Sequence, residues 1–489
     1  MTANLKPYPA MKDSGVHWLG EVPKHWSIGT LRRRLRPYDG IKIGPFGSQL
    51  KLEDMSASGY KVYGQANVIA SDFSRGSKFV DSQKFAELAA CDVRPGDLVL
   101  TMMGTGGRCA RLPESAPIGL MDSHLLRLRT DTSLTAEYAA LVLDRAPYVK
   151  QQVELASKGS IMQGLNSSIV KDVVLVIPPL PEQAAIVRFL DHADRRIRRA
   201  IAAKRKLIAL LNEEKQAIIQ RAVTRGLDPN VPLKPSGVEW LGDVPEHWEV
   251  KRLKYVSPEI TVGVVVNPSS YFVDQGIPML LGNNVLPGRF KLEHVRRISP
   301  ESNHKLKKSQ LNSGDVVVVR VGAPGVAAVV PEELDGCNCA SIVIVRQGPE
   351  VESLWIEHLF NSPVMRRQID VVKYGAAQKQ FNIAHAVEFW ALVPSLAEQR
   401  EILEHLAEGL KVVDVATGHA QREIALLLEY RTRLIADVVT GKLDVREAAA
   451  ALSAETDDPD PLDTLDALSD GDEEGDDTGM DGELEEADA

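Results

Sequence analysis

The chain has 489 residues, a formal net charge of −10, 44% hydrophobic and 25% charged residues. That length is too great for a single core, the composition is that of an ordinary globular protein, and no apolar run approaches the roughly 18 residues of a membrane helix. The charge is uneven: Glu455 to Ala489 holds seventeen acidic residues and no Lys or Arg, so removing those seventeen charges from −10 leaves +7 on residues 1–454.

The opening stretch MTANLKPYPAMKDSG has no apolar centre of the kind a secretory signal needs. Four cysteines, Cys91, Cys109, Cys337 and Cys339, fit a reducing compartment, and a cytoplasmic location is expected. Cys337-Asn-Cys339 is too tight for the usual zinc knuckle and no second pair follows, so no metal site is expected. Ser14 to Trp26 then reads SGVHWLGEVPKHW, and Ser236 to Trp248 reads SGVEWLGDVPEHW, with ten of thirteen positions identical. Gly96-Asp97-Leu98-Val99 likewise returns as Gly314-Asp315-Val316-Val317, and Val223-Thr224-Arg225-Gly226-Leu227-Asp228 as Val439-Thr440-Gly441-Lys442-Leu443-Asp444. An internal repeat of this length predicts one unit built twice, with anchors shared and the intervening sequence different.

Residues 27–177 carry short Val/Ile/Leu runs broken by Gly and Pro, such as Asp97 to Leu100 and Val173 to Ile177, and predict strands. Thr135 to Ala156 predicts helix, with Ala140, Leu141, Leu143 and Val153 inward. Pro178-Pro179-Leu180-Pro181 opens a segment, Glu182 to Arg225, without Gly or Pro. There Ile186, Leu190, Ala193, Ile197, Ala200, Lys204, Leu207, Leu211, Glu214 and Ile218 alternate at spacings of four and three, a heptad seam with two polar interruptions. Some 40 helical residues span about 60 Å. Residues 249–393 repeat the strand pattern, with Asp315 to Val321 and Ser341 to Val345 as strands and Leu354 to Val372 as helix. Glu398 to Val439 predicts a second long helix, with Ile402, Leu406, Val413, Ala420, Ile424, Leu427, Leu434 and Val438 inward and Gly409 and Gly418 weakening its first half. The expected fold class is α+β. A first globular domain occupies residues 1–177, a central long helix 178–226, a second globular domain 227–393, a distal long helix 394–445 and an acidic tail 446–489. Two narrowly amphipathic helices would pair most simply as an antiparallel coiled coil. The tail, acidic and without aromatics, is expected not to fold; it is either a solubilising segment or a polyanion competing with nucleic acid for a basic groove.

No catalytic pattern emerges. There is no G-x-x-x-x-G-K-[ST] loop, and Gly104-Thr105-Gly106-Gly107 lacks the Lys and hydroxyl that would make it a phosphate cradle. Asn267-Pro268-Ser269-Ser270-Tyr271 only distantly matches an amino-methyltransferase box, and no His pattern of hydrolases occurs. Nucleic-acid binding fits better, because phosphate contacts need Lys and Arg while base edges are read by Arg, Lys, Asn, Gln and Ser. In the first domain Lys42, Ser48, Gln49 and Lys51 lie on a turn-rich loop, and Lys158, Ser160 and Gln163 on a second Gly-flanked loop. In the second, Arg289, Arg296 and Arg297 flank a strand-like segment, and Lys373, Gln378, Lys379 and Gln380 form the counterpart of the Gly159 loop. Each could instead be plain solvated surface. Arg320 aligns with Met102 and so has no mirrored role. Trp18, Trp26, Trp240 and Trp248 are expected in the domain cores. Arg195, Arg196, Arg198, Arg199, Lys204, Arg205 and Lys206 make the central helix basic, either as a solvated face or as a surface for an acidic partner or DNA backbone.

The SGVxWLGxVPxHW element, GPFGSQLK at Gly44 to Lys51, GDLVLTMMGTGG at Gly96 to Gly107, PLPEQAAIVRFLD at Pro179 to Asp191 and SLAEQREILEHL at Ser395 to Leu406 together resemble the specificity subunit of type I restriction-modification systems. The resemblance covers about residues 12–445. It implies two target-recognition domains, each reading half of a split double-stranded DNA sequence. The helices would form an antiparallel coiled coil that sets the gap and docks two methylation (M) subunits, with motor-nuclease (R) subunits added. It implies no catalytic, cofactor or metal residue in this chain; S-adenosylmethionine, ATP and Mg²⁺ would belong to partner subunits, and no membrane is involved. The alternatives are a fused DNA methyltransferase-specificity enzyme and a protein-binding scaffold.

Overall fold

The computed structural model describes residues 5–452, apart from 47–48, 104–106, 158–164, 239–240 and 375–380. Its contacts divide the chain into two units, Met1–Arg205 with Gln421–Ala489, and Lys206–Ala420. Each long helix, Leu180–Arg225 and Leu396–Val439, is therefore divided between them.

The core of each unit is built around one four-stranded antiparallel sheet. In unit 1 its strand order is Ile41–Ile43, Leu125–Leu128, Leu98–Thr101, Cys109–Arg111; in unit 2 it is Ile260–Val262, Ile342–Val345, Val316–Val319, Ala327–Val329. The continuous apolar runs follow from burial of both faces. Leu98 and Leu100 face the core shared with the helices, while Val99 faces the core of a second sheet. Val316 and Val318 point one way and Val317 and Val319 the other in the same fashion. Side chains alternate across a strand, so in a sheet covered on both sides the central strands are apolar at nearly every position, with Arg127 the buried exception on Leu125–Leu128. The second sheets are mixed: Gly119–Met121 runs parallel to Tyr60–Tyr63 in unit 1, as Asn338–Cys339 does to Ile277–Leu280 in unit 2. A two-stranded ribbon closes each domain, Ser27–Thr30 with Val174–Ile177 and Glu249–Arg252 with Trp390–Val393.

Within unit 1, Asp194 pairs with Arg431 and Lys204 with Glu423, both at 2.5 Å, so the helix segments run antiparallel. Within unit 2, Lys215 pairs with Asp414 at 2.6 Å, and Gly226 abuts Glu398. The seam departs from a strict heptad. Ile186, Leu190, Ala193 and Ile197 are buried as expected, but burial then falls on Ile201 and later on Ile219, Ala222 and Val223, while Leu207 and Glu214 are exposed. An α-helix of 3.6 residues per turn drifts about 20° per heptad, which moves the inner face one residue on. The helix Leu396–Val439 runs unbroken through Gly409 and Gly418, with Ile402, Leu406, Val413, Ala420, Leu434 and Val438 buried.

Three other expectations are corrected. Thr135 to Ala156 is two helices, Ala136–Arg145 and Pro147–Ser157, because Pro147 restarts the chain. Leu354 to Val372 is likewise Ser353–Phe360 and Pro363–Tyr374. Residues assigned to the acidic tail include a helix, Arg446–Ala451, whose Ala449 joins the unit 1 core. The remainder of the tail, from 453, lies outside the described residues.

Candidate nucleic-acid interface

The repeated motifs meet at the start of each long helix. Glu182 accepts hydrogen bonds from Trp26 Nε1 at 2.9 Å and Tyr8 Oη at 2.9 Å, and His25 Nε2 lies 2.6 Å away. Glu398 accepts from Trp248 Nε1 at 2.9 Å, with His247 Nε2 at 2.9 Å. The following glutamines make a second clamp. Gln183 Oε1 accepts from Thr135 N–H at 2.8 Å and its amide donates to the Ser133 and Pro178 carbonyls; Gln399 does the same with Glu352 N–H at 2.9 Å and the Glu350 and Pro394 carbonyls. The His-Trp and Glu-Gln dipeptides thus lock each globular domain to its helix. Trp26 and Trp248 are core as expected, whereas Trp18 is 44% exposed and stacks on Tyr148; Trp240 lies outside the described residues.

Loops gather at one end of each antiparallel sheet. In unit 1, Gly44 N–H donates to Leu125 O at 2.9 Å, Met102 N–H to His124 O at 2.9 Å, and Leu165 N–H to Met102 O at 2.8 Å. Gly44 passes so close to the Asp122 carbonyl that any Cβ would overlap it. In unit 2, Gly263 N–H donates to Ile342 O at 2.8 Å, Ser341 N–H to Val264 O at 3.0 Å, and Gly325 N–H to Val319 O at 2.8 Å. The rims carry exposed apolar groups, Phe46 and Met103 in unit 1 and Val266 and Val321 in unit 2.

The candidate DNA-contacting residues are distributed unequally around these rims. Lys42, Gln49 and Lys51 are exposed on one segment, but Lys42 lies on the edge strand Ile41–Ile43 rather than a loop. Gln49 Oε1 accepts from Phe46 N–H at 3.1 Å and Lys51 Nζ lies 3.0 Å from Glu53, so both also serve their own turn. Arg289 is exposed on the short hairpin strand Arg289–Phe290, and Arg296 and Arg297 belong to the strand Arg296–Ile298 of the other sheet. Arg296 stacks 5.7 Å from the Phe272 ring and Arg297 donates to Gly276 O at 2.8 Å, so the three arginines are not one cluster. Ser48, Lys158, Ser160, Gln163, Gln378, Lys379 and Gln380 lie outside the described residues, and Lys373 is described only as part of its helix. On the basic helix, Arg196, Arg199 and Lys206 are exposed, Arg198 turns to Asp194 at 3.4 Å and Lys204 to Glu423.

A buried charge network under the unit 1 sheet was not expected from sequence. Arg127, fully buried, donates to Asp92 and Asp39; Arg129 donates to Asp97 at 2.7 and 2.8 Å and to Asp39. Burial opposes ionisation of Asp39, but the Arg129 hydrogen bond and both guanidinium charges outweigh it and hold the carboxyl below its usual range. The network braces the turn carrying Tyr38, which is fully exposed at φ 65. The one signal in the sequence was the alternation Leu125-Arg127-Arg129 in an apolar strand; its partners lie 88 (Asp39), 35 (Asp92) and 32 (Asp97) positions away. All four cysteines are buried free thiols, and no group of metal-ligating side chains occurs among the described residues. No helix among the described residues is long and apolar enough to cross a membrane.

No protein-family model matches the chain. It is 22% identical over 441 residues to the MjaVIII type I restriction enzyme specificity subunit of Methanocaldococcus jannaschii, covering 87% of this chain and 94% of that one. It is 25% identical over 289 residues to the EcoBI type I restriction enzyme specificity subunit of Escherichia coli, where the match spans 57% of this chain and 60% of the relative. A solved chain from a study of assembly and conformational transition in the type I restriction-modification system aligns over 86% of this chain and 99% of its own, with a TM-score of 0.60 and 16% identity, a likeness of fold.

Proposed function

The chain belongs with the type I restriction specificity subunits, and from that premise we propose that it reads a bipartite double-stranded DNA sequence, one half by each unit. The observation that carries this reading is the duplicated loop rim. Two copies of one sheet present loops at the same end and share two backbone hydrogen bonds, Gly44 N–H to Leu125 O matching Gly263 N–H to Ile342 O and Gly107 N–H to Thr101 O matching Gly325 N–H to Val319 O, with different side chains on each. Shared scaffolds with divergent rims suit two related readers of different base sequences. Lys42 and Lys51 are suited to phosphates, which fix register, while amide and hydroxyl groups on the rims and the arginines of unit 2 are suited to base edges. The Glu-Gln and His-Trp clamps would orient each reader on the helices, so that helix length sets the gap between half-sites.

In this reading the chain contributes recognition and not chemistry. Methylation subunits would dock on the long helices and carry S-adenosylmethionine, and motor-nuclease subunits would supply ATP- and Mg²⁺-dependent restriction. Co-expression with the neighbouring methylation subunit, followed by methylation-sensitive sequencing of host DNA, tests it. The expected result is a split motif with a fixed gap. Exchanging residues 27–177 for those of another specificity subunit should change one half-site and leave the other. A stable complex that methylates no split motif overturns the proposal.

A further inference from the structure

We infer that the tip Val265-Val266-Asn267 of the unit 2 rim reads an A·T pair in the major groove, the valines against the thymine methyl and Asn267 on the adenine edge. This rests on the DNA-reading role proposed above. The tip leaves the sheet just past Gly263, where the strand Ile260–Val262 ends. Val264 packs on the core, whereas Val265 is 44% and Val266 80% exposed. The core thus takes one valine and leaves two adjacent aliphatic side chains in solvent. Asn267 has a left-handed backbone, φ 47 and ψ 51, which short amide side chains tolerate. Ser270 holds that turn by donating from both N–H and Oγ to the Asn267 carbonyl, at 3.1 and 2.7 Å, and Pro268 fixes the next φ. The Asn267 side chain is exposed, and no group among the described residues pairs with its amide. The turn therefore presents the amide without using it.

The segment Gly263 to Tyr271 holds no charged residue, so it has no cation to offer a phosphate, and base edges remain. Among the four bases only thymine shows an apolar group in the major groove, its C5-methyl, and an Asn amide matches adenine by accepting from N6 and donating to N7. Both features belong to one A·T pair. Unit 1 repeats the position with a different residue. Gly44 matches Gly263 in its backbone bond, and two residues past it stands Phe46, 75% exposed, where unit 2 has Val265. An apolar side chain exposed at the same rim position in both copies, but changed in identity, fits a contact that differs between half-sites.

Sequencing of host DNA after co-expression with the methylation subunit defines both half-sites, and exchange of residues 27–177 shows which one belongs to unit 2. That half-site should demand A·T at one position. Asn267→Gly keeps the left-handed turn, removes the amide, and should lower the preference for adenine there by about tenfold or more, at that position alone. On a duplex of the native site, deoxyuridine in place of that thymine removes only the methyl and should weaken binding by the complex roughly fourfold. Val265→Ser with Val266→Ser should bind the two duplexes alike. The unchanged half-site of unit 1 reports that each variant still folds and assembles. A unit 2 half-site with no fixed A·T pair, a position that Asn267→Gly leaves strict, or a native complex indifferent to the methyl overturns the inference and leaves the DNA-reading role standing. Absence of any split motif overturns that role, and this inference with it.

Discussion

At one strand position unit 1 carries Arg127 and unit 2 carries Ile344, and the surroundings have followed. Arg127 faces Asp92 and Asp39, whereas in unit 2 Ile344 lies in an apolar core and Gln310, at the position of Asp92, donates its amide to the Asn303 carbonyl at 2.8 Å. Only the Arg129–Asp97 pair persists, as Arg346 with Asp315. Asp315, with one guanidinium instead of a network, is pushed up by burial despite the Asn312 N–H and Arg346 beside it, while Asp39 is held down. The same fold thus tolerates an ionic or a hydrocarbon solution in one layer. Buried ion pairs add little over apolar packing, but half a pair is costly.

The sharpest way to break this comparison is to leave half a network. Arg127→Ala takes the fully buried guanidinium from Asp92, which keeps Arg94 at 2.5 Å and Arg129 at 3.3 Å, and should cost less than the roughly 3–5 kcal/mol of a wholly unpaired buried charge. Arg127→Ile with Asp92→Gln copies unit 2 and should recover more than half of that loss. Hydrogen exchange over Leu98–Leu128 measures both, and a double variant no better than the single one would show that the apolar solution does not transfer. A smaller contrast lies at the clamps. Glu182 accepts or shares three hydrogen bonds, with Arg446 3.9 Å away as well, and Glu398 two, so Glu182→Ala should cost roughly 3 kcal/mol and Glu398→Ala about 2 kcal/mol. Tyr8→Phe should remove about 1 kcal/mol and bring the clamps level in denaturant midpoint.

Acid should distinguish the units next. Burial, then the nearby Lys215 charge, lowers His358 from 6.5 to about 4; the aligned residue of unit 1 is the buried Leu141. Because the folded value lies below the unfolded one, the unfolded chain takes up the proton first. The stability is present above pH 6.5 and is lost as pH falls toward 4, about 2 kcal/mol by about pH 5. Glu357, raised by burial, works in the opposite direction. The measurement is therefore the difference between the native chain and His358→Gln, whose unit 2 exchange should lose this acid sensitivity; equal sensitivity would remove His358 as its cause. The smallest expected effect is at the rim. Lys42→Ala should weaken DNA binding a few-fold for every sequence and reduce the salt slope by about 1, whereas Arg296→Ala should alter preference at one half-site; titrations on matched and mismatched duplexes separate them.

The repeat, the long helices and the strand pattern were legible because each rests on spacing: identical anchors, apolar residues every three or four positions, and continuous Val and Leu runs. What was not legible depends on contacts between distant residues. Glu182 was visible in its motif and Trp26 in another, yet only the fold joins them across 156 positions. The heptad reading failed after Ile197 because a period of 3.5 was imposed where the helix turns at 3.6. For the rim, residue type pointed to Lys42 and Gln49 together, but it could not show that Arg289 and Arg296 sit on different sheets.

The division of the chain also imposes an order in time. Unit 2 is continuous, Lys206–Ala420, whereas unit 1 needs Gln421 onward. Leu434, Ile435, Val438 and Val439 are part of the core that holds Tyr8, Trp26 and Leu98, and Asp444 N–H bonds the Lys6 carbonyl at 2.8 Å. Although domains emerging from the ribosome generally fold from the N-terminal end first, the first 205 residues here must wait for the last core strip to be synthesised. Unit 2 should therefore become protease-resistant on stalled nascent chains before unit 1 does, and the half-made first domain is the species a chaperone would meet.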